Sequence, residues 1–419
     1  MDCLLRGIRR KGMRIDRNQS MIGPDEALDR VLENVSKLPA RPVALEGALN
    51  LKLAEDLSAP FDIPTFDRSM MDGFAVQRKS GARWAVVTGT LAAGEVRTTP
   101  LAPGTAVEIA TGAPCPTGTE FVVPYEDATR DGERIYWTED PEHGQYIVPL
   151  GSECRKGDPV LTRGLDVTPL VISVLASFGK TEASVVPSPR MAILITGNEV
   201  VRSGLIPGPG QIADANGPLL CAMAREQGVS DIRLLWSEDH LDRMVEILER
   251  TEETEIVLVS GGVSRGPFDL VPQALRKTGA EILFHKVSQK PGKPMLFARK
   301  GSLFFFGLPG NPLSAHLGFH RYVAPAIRIM QGRSFRRLRG RGKSSLSTQT
   351  DDRTRFDLLR SSGDQTGETT VFTGRNSSDL FSVCAANGIL ERPPETGNAS
   401  IGEPGEIEFE WMGNRWEER

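Results

Sequence analysis

Cysteine, histidine and aromatic side chains are scarce in this chain: 419 residues hold five cysteines, five histidines and 6% aromatics. Cys3, Cys115, Cys154, Cys221 and Cys384 are scattered with no C-x-x-C pair, which argues against a disulfide framework and fits the reduced thiols of a cytosolic protein. No stretch of eighteen apolar residues occurs, so no membrane span is expected. A formal net charge of −4 gives no bulk attraction to nucleic acid. The first twenty residues carry six basic and two acidic groups but no apolar core followed by a cleavage motif. They do not read as a signal peptide and are taken as a disordered extension or a misassigned start. A cytoplasmic, soluble, multi-domain protein is the expectation.

What is present centres on residues 255–330. Ile256-Val-Leu-Val-Ser260 is short, apolar and β-branched, and glycines follow it, as in a buried parallel strand. Gly261-Gly-Val-Ser-Arg-Gly266 then leads to a helix predicted over Pro267–Lys277. A second strand, Ser302–Phe306, runs into the tight loop Gly307-Leu-Pro-Gly-Asn311 and a helix predicted over Leu313–Met330, with Asn311 as cap and Pro312 at its first position. Between them lie Lys286, Lys290 and Lys293 in a proline-stiffened loop. Two helix N-termini and three lysines beside one sheet predict a site for a phosphorylated or oxyanionic ligand.

Read in order, the chain divides into an N-terminal mixed α/β domain (21–59 and 150–187), an inserted β-barrel-like domain (60–149), a central α/β domain (188–332) and a C-terminal β domain (333–419). Helices are predicted at Pro24–Lys37, Leu45–Leu53 and Thr168–Phe178. From Met191 onward strands and helices alternate, which implies a parallel sheet with helices on both faces. The basic stretch Gln331–Lys343 reads as a linker or first edge strand in preference to a nucleic-acid contact. His316 and His320 stand one turn apart but lack an acidic third ligand, so they read as a helix face, and Trp84, Trp137 and Trp236 as core or edge packing.

In an open parallel sheet, ligands bind beyond the carboxyl ends of the strands. Polar loops follow the strands here: Thr196-Gly-Asn-Glu199, Ser237-Glu-Asp239, Ser260-Gly-Gly-Val-Ser264 and Leu308-Pro-Gly-Asn-Pro312. With Phe66-Asp-Arg-Ser-Met-Met-Asp-Gly-Phe-Ala-Val76, Ile109-Ala-Thr-Gly-Ala-Pro114, Gln211-Ile-Ala-Asp-Ala-Asn216 and Lys290-Pro-Gly-Lys-Pro294, the chain resembles the molybdopterin molybdenumtransferase (MoeA) family from about Met21 to Gly332. Fainter echoes follow at Asn376-Ser-Ser-Asp-Leu380 and Ala385–Leu390.

The resemblance implies an elongated multi-domain α/β homodimer whose central parallel-sheet domain binds molybdopterin, flanked by β-rich domains. It implies insertion of molybdate into adenylylated molybdopterin (molybdopterin-AMP) with release of AMP, a Mg²⁺ requirement, and passing contacts with a molybdopterin adenylyltransferase and with molybdoenzyme acceptors. Residue by residue, it puts Asp72, Glu153, Glu199, Asp239 and Asp269 in catalytic roles, with Glu199, Asp239 and Asp269 as metal ligands. Thr111, Gly112, Thr196, Asn198, Ser260, Gly261, Gly262, Ser264, Lys286, Lys290, Lys293, Pro309, Asn311, Pro312 and Ser377 are the implied substrate-binding positions. Asp72 is expected to complete the pocket of a second subunit.

The chain departs from the family pattern at Glu108, where a basic residue is usual, at Val148 and Glu153, at Asn198 and at Arg265. Two rival readings therefore stand beside the transferase: a molybdopterin adenylyltransferase, against which the Met-Asp-Gly-Phe unit argues, and a weakly active or non-catalytic molybdopterin-binding scaffold.

Overall fold

The computed structural model describes residues 21–263, 270–344, 351–361, 369–372, 380–381, 384–394 and 405–412. The predicted extension 1–20 lies outside them, as do Ser264, Arg265, Asp269 and Ser377. The chain divides into two compact units. The smaller takes Pro42–Leu49 and Leu53–Val185; the larger runs through Arg41, takes Asn50–Lys52 and resumes at Val186.

The larger unit is built on a six-stranded sheet. Ile232–Ser237, Met191–Thr196, Ile256–Ser260 and Leu303–Leu308 lie side by side in parallel. Every residue of Met191–Thr196, Ile256–Ser260 and Leu303–Leu308 is buried, as strands covered on both faces require. The sheet is mixed, however. Leu296–Lys300 and Glu281–His285 continue it antiparallel, one as the hairpin partner of Leu303–Leu308 and the other at the edge. The prediction missed both, because the lysine-rich loop between them masks the hairpin.

Helix Asn216–Glu226 packs on one face, with Leu220, Cys221 and Ala224 against Met191, Ile193 and Phe306. The amphipathic Pro24–Asn34 lays Ala27, Leu28 and Val31 in the same core, so it belongs with the larger unit although it precedes the smaller one in sequence. Leu241–Glu249 and Val271–Lys277 cover the opposite face through Met244, Leu248, Val271 and Leu275.

The predicted helix after Pro312 is present as Pro312–Gly318 and Ala324–Met330, with a π-helical turn, Phe319–Val323, between them. Pro325 lacks an N–H for the carbonyl one turn back, which accounts for the widened turn. Asn311 occupies the capping position, but its side chain makes no cap bond.

A second six-stranded sheet in this unit joins Arg339–Ser344, Thr354–Ser361, Gly388–Arg392 and Gly405–Trp411 to the two-residue strand Gln289–Lys290, with Thr369–Phe372 also paired to Thr354–Ser361. The basic stretch is irregular up to Leu338 and becomes an edge strand from Arg339, where Arg339 and Arg341 both pair with Glu408.

In the smaller unit a six-stranded sheet carries Gly73–Gln77, Trp84–Leu91, Thr105–Ile109, Phe121–Pro124, Ala128–Asp131 and Arg134–Trp137. Its two apolar faces bury separate clusters, one around Phe121 and Trp137 and the other around Ile109 and Val122. Pro169–Ser177 is the predicted helix, with the Thr168 hydroxyl accepting from Val171 N–H at its start. The helix expected over Leu45–Leu53 is instead a short 3₁₀ turn, Leu45–Gly47, followed by the strand Lys52–Leu53. Gly47 weakens a helix, and Asn50 sits at φ 63°, in the left-handed region that ends one.

Candidate functional site

The parallel register brings Thr196, Ser237, Ser260 and Leu308 to one edge of the main sheet: Thr196 lies opposite Ser237, Ile195 opposite Ser260, and Ser260 opposite Leu308. Leu296 faces Gly307 and His285 faces Leu296, so the lysine loop 286–295 opens on the same edge. The His285 ring lies 2.8 Å from the Val263 carbonyl and ties that loop to the turn after Ser260. Five loops therefore share the ligand edge of the sheet.

Close packing dictates their composition. Gly261 has φ +99°, and a Cβ there would lie 2.6 Å from Thr196 Oγ1; one on Gly307 would meet Val263 at 2.7 Å. Only glycine lets these turns lie against each other. Thr196 and Ser260 are buried, with the Thr196 hydroxyl donating to the Ser260 carbonyl at 3.3 Å, so these side chains scaffold the edge from below. Asn216, at the start of its helix, donates to Ser260 Oγ at 2.8 Å and to the Gly310 carbonyl at 2.7 Å, linking two of the loops. Its Oδ1 is buried without a hydrogen-bond partner, an acceptor aimed at nothing in the protein.

Asn198 Oδ1 accepts the Asp239 N–H at 3.0 Å, which fixes the first strand-end loop to the second, while Glu199 is exposed beside it. Between these loops and the helix Leu241–Glu249 lies a cleft of about 1040 Å³, with Asn198, Arg202, Trp236, Ser237, His240 and Arg243 on its walls. Trp236 is a cleft residue where packing alone was expected: Arg202 lies 4.5 Å over its ring and its N–H donates to Asp214 at 3.2 Å. Asp214 also accepts from Gly217 N–H at the helix start.

Of the lysines, Lys286 stands at φ 83° in the turn and Lys293 is exposed. Lys290 has a protein partner, donating to Asp351 at 2.9 Å. Pro309 is buried, whereas Asn311 and Gly310 are exposed at the rim. Among the described residues no group of three His, Cys, Asp or Glu side chains is close enough to hold a metal ion. The paired histidines are not such a site either, since His320 bonds Glu410 at 3.2 Å.

The smaller unit gathers its own predicted residues. The Ser69 hydroxyl closes the Ser69–Met71 turn at 2.6 Å, and Asp72 Oδ1 accepts from Thr111 N–H at 2.8 Å. Gly112, at φ +80°, donates its N–H to the Ser69 carbonyl at 2.9 Å, which seats Ile109–Ala113 against the Asp72 turn. Glu153 is held by Arg68 at 2.5 Å. Glu108 is not a bare charge: it accepts from the Tyr125 hydroxyl at 2.8 Å and from Arg130 at 3.2 Å. Desolvation and the neighbouring Glu108 carboxylate push the Tyr125 phenol up to about 12. Tyr125 and Arg130 were missed in the sequence because they lie seventeen and twenty-two residues beyond Glu108 and only the sheet joins them. Asp214 and Asn216 lie in a quoted motif, so their roles had a signal.

Known proteins match this arrangement along nearly the whole chain. Residues 22–179 match the family described as "MoeA N-terminal region (domain I and II)" and residues 192–329 the "Probable molybdopterin binding domain". A molybdopterin molybdenumtransferase of Staphylococcus aureus is 34% identical over 380 residues, covering 88% of this chain and 90% of the relative. The chain belongs to the molybdopterin molybdenumtransferase family. Its relative of that name from Staphylococcus epidermidis is 33% identical over 319 residues, 74% of this chain and 76% of the relative. The crystal structure of a molybdopterin biosynthesis MoeA protein from Pyrococcus horikosii superposes with a TM-score of 0.75 at 26% identity, covering 94% of this chain and 99% of that one. The strand-end loops and the Asp72 turn both lie within the matched residues, and no described helix is long and apolar enough to cross a membrane.

Proposed function

We propose that this chain is a molybdopterin molybdenumtransferase of the cytoplasm, taking molybdopterin-AMP and molybdate and releasing AMP and the molybdenum cofactor. The observation that carries the reading is the convergence of four strand-end loops and the lysine loop on one sheet edge, tied together by Asn216 and by Asn198. Such an edge suits a polyanion, because helix N-termini and lysines compensate its charge without needing a single fixed geometry. The cleft beside Trp236 has the size for a ring system together with a nucleotide.

Mg²⁺ fits the donors available. Glu199 and Asp239 supply hard oxygen ligands on adjacent loops, and Mg²⁺ is normally held by one or two carboxylates together with substrate phosphate and water. Those two residues would hold it, and the ion would supply charge neutralisation at the phosphoanhydride. The chain's own groups do the rest: the lysines orient the phosphates, the buried Thr196–Ser260 contact keeps the floor rigid, and Asn198 positions the Asp239 backbone. The proposal includes a homodimer, delivery of substrate by a molybdopterin adenylyltransferase, and hand-over to molybdoenzyme acceptors.

The test is AMP release from molybdopterin-AMP with molybdate and Mg²⁺ present or withheld. Release should need both, and Asp239→Ala should abolish it with an almost unchanged melting temperature, since truncating an edge-loop residue opens little cavity. Tight molybdopterin-AMP binding by the wild-type chain without AMP release would favour the scaffold reading instead.

A further inference from the structure

Lys290 stands at the end of the two-residue strand Gln289–Lys290, which pairs in parallel with Thr354–Arg355 of the second sheet. The strand is anchored from beneath. Gln289 is fully buried, accepts from the Tyr322 hydroxyl at 2.5 Å and donates to the Pro291 carbonyl at 3.2 Å, and Thr354 N–H donates to the Ser288 carbonyl at 3.2 Å. The lysine side chain does not project freely from this fixed base. Its ammonium donates to Asp351 Oδ2 at 2.9 Å, and Arg353 donates to Asp351 Oδ1 at 3.0 Å and to Oδ2 at 3.3 Å. Burial raises the proton affinity of this carboxyl, but the hydrogen bonds from Lys290 and Arg353 outweigh it and hold Asp351 well below the usual carboxylate range. The Asp351 side chain is 9% exposed and that of Lys290 47%, so the carboxylate is sheltered while the ammonium remains within reach of a ligand. Asp352 adds a further carboxylate 3.6 Å from Arg353.

We infer that Asp351 is a resident counter-ion at the oxyanion seat, which a substrate oxyanion has to displace from Lys290 and Arg353 before it binds. This rests on the reading of Lys290 as a ligand-binding residue and adds to it an internal competitor. Two cations converging on one sheltered carboxylate form a seat that the chain itself fills. An intramolecular occupant lowers apparent affinity by the fraction of molecules in which the seat is taken. Because Gln289 fixes the backbone, the exchange takes place among side chains.

Titration calorimetry with inorganic molybdate and, separately, with AMP tests this and distinguishes the two sources of oxyanion. Asp351→Asn keeps the shape and removes the charge. It should tighten binding of one or both probes roughly five- to twelvefold, the span between the upper end for an exposed ion pair and the lower end for a hydrogen bond to a charged group. The gain should vanish in Asp351→Asn/Lys290→Ala. A folded Asp351→Asn that binds both probes no better than wild type overturns the inference. Should Lys290→Ala also leave both affinities unchanged, the reading of Lys290 as a ligand falls with it. A measurement on the unaltered protein needs no variant to fold: carbodiimide-driven labelling of the Asp351 carboxyl, read by peptide mass spectrometry, should quicken when molybdate or AMP saturates the site. Labelling that stays constant overturns the displacement.

Discussion

At the scale of single residues, charge is judged by its partners. Glu108 taken alone predicts that Glu108→Arg tightens binding of an anionic substrate by up to roughly thirty-fold, two unit-charge interactions at moderate range. In the structure Arg130 already neutralises Glu108, and Tyr125 donates to it. The substitution would set two guanidinium groups side by side and leave the phenol without its acceptor. The better probe is Glu108→Gln, which frees Arg130; it should tighten molybdopterin-AMP binding about three- to fivefold, as befits a partly exposed pair worth about 1 kcal/mol. The swap Glu108→Arg with Arg130→Glu restores the ion pair but not the Tyr125 acceptor, so it should bind closer to the wild type than Glu108→Arg alone. Weaker binding by Glu108→Gln would instead make Glu108 the residue that holds Arg130 in position. Glu153 follows the same logic, since its departure from the family pattern is answered by Arg68.

At the scale of elements, the strand-end loops depend on ties that run between them. Asn216→Ala removes both donors of its amide and strands Ser260 Oγ and the Gly310 carbonyl. A loss of about 1–3 kcal/mol is expected for leaving the buried Ser260 Oγ unsatisfied, since the exposed Gly310 carbonyl can turn to water; it is read as a lower midpoint in urea, and ligand binding should weaken with it. An unchanged midpoint would show that the loops hold without the tie. The helix Pro312–Gly318 gives a pH signature. Burial, with a smaller push from His320, lowers the His316 ring to about 4, and its Nδ1 is sealed from solvent without a partner. The unfolded chain binds this proton below about pH 6.5 and the folded one only near pH 4, so stability rises with pH across that window. Between pH 7 and pH 5 the native protein should lose about 2 kcal/mol from this group. His316→Gln should lose less, by denaturant titration at the two values. The Asp351 and Glu410 carboxyls are both depressed, so their own loss of stability begins only as pH falls through the ordinary carboxylate range, which is why the comparison stops at pH 5.

Elements with strong local signals were legible in the sequence: the β-branched strands, the glycine turns after them, and the alternation of strand and helix. The order of strands and polar loops placed the strand-end loops at one edge, as the parallel register has them, whereas the bond from Thr111 N–H to Asp72 was not foreseen. Features that depend on contacts between distant segments were not legible. The antiparallel hairpin Glu281–Lys300 hid behind its lysine loop. Arg130 meets Glu108 only across the sheet, and Asp351 meets Lys290 only because Thr354–Ser361 pairs with Gln289–Lys290. Local periodicity carries no information about partners sixty residues away.

At the scale of the whole molecule, the two groups of candidate residues belong to different units: Asp72 to the smaller, Glu199 and Asp239 to the larger. If the proposed homodimer forms with Asp72 completing the pocket of the second copy, mixing defects will reveal it. In a two-fold dimer whose sites each draw Asp72 from one chain and Asp239 from the other, a heterodimer of Asp72→Ala with Asp239→Ala has one site carrying both lesions and one carrying neither. Each variant alone should be inactive in AMP release, whereas the tagged and purified heterodimer should recover about half the wild-type rate, as two-fold symmetry demands. If both residues of a site come from one chain, every site of that heterodimer carries a lesion and no activity returns. A chain that light scattering shows to be a monomer at micromolar concentration would rule out the shared site at once, because the mixture could then form no heterodimer to rescue.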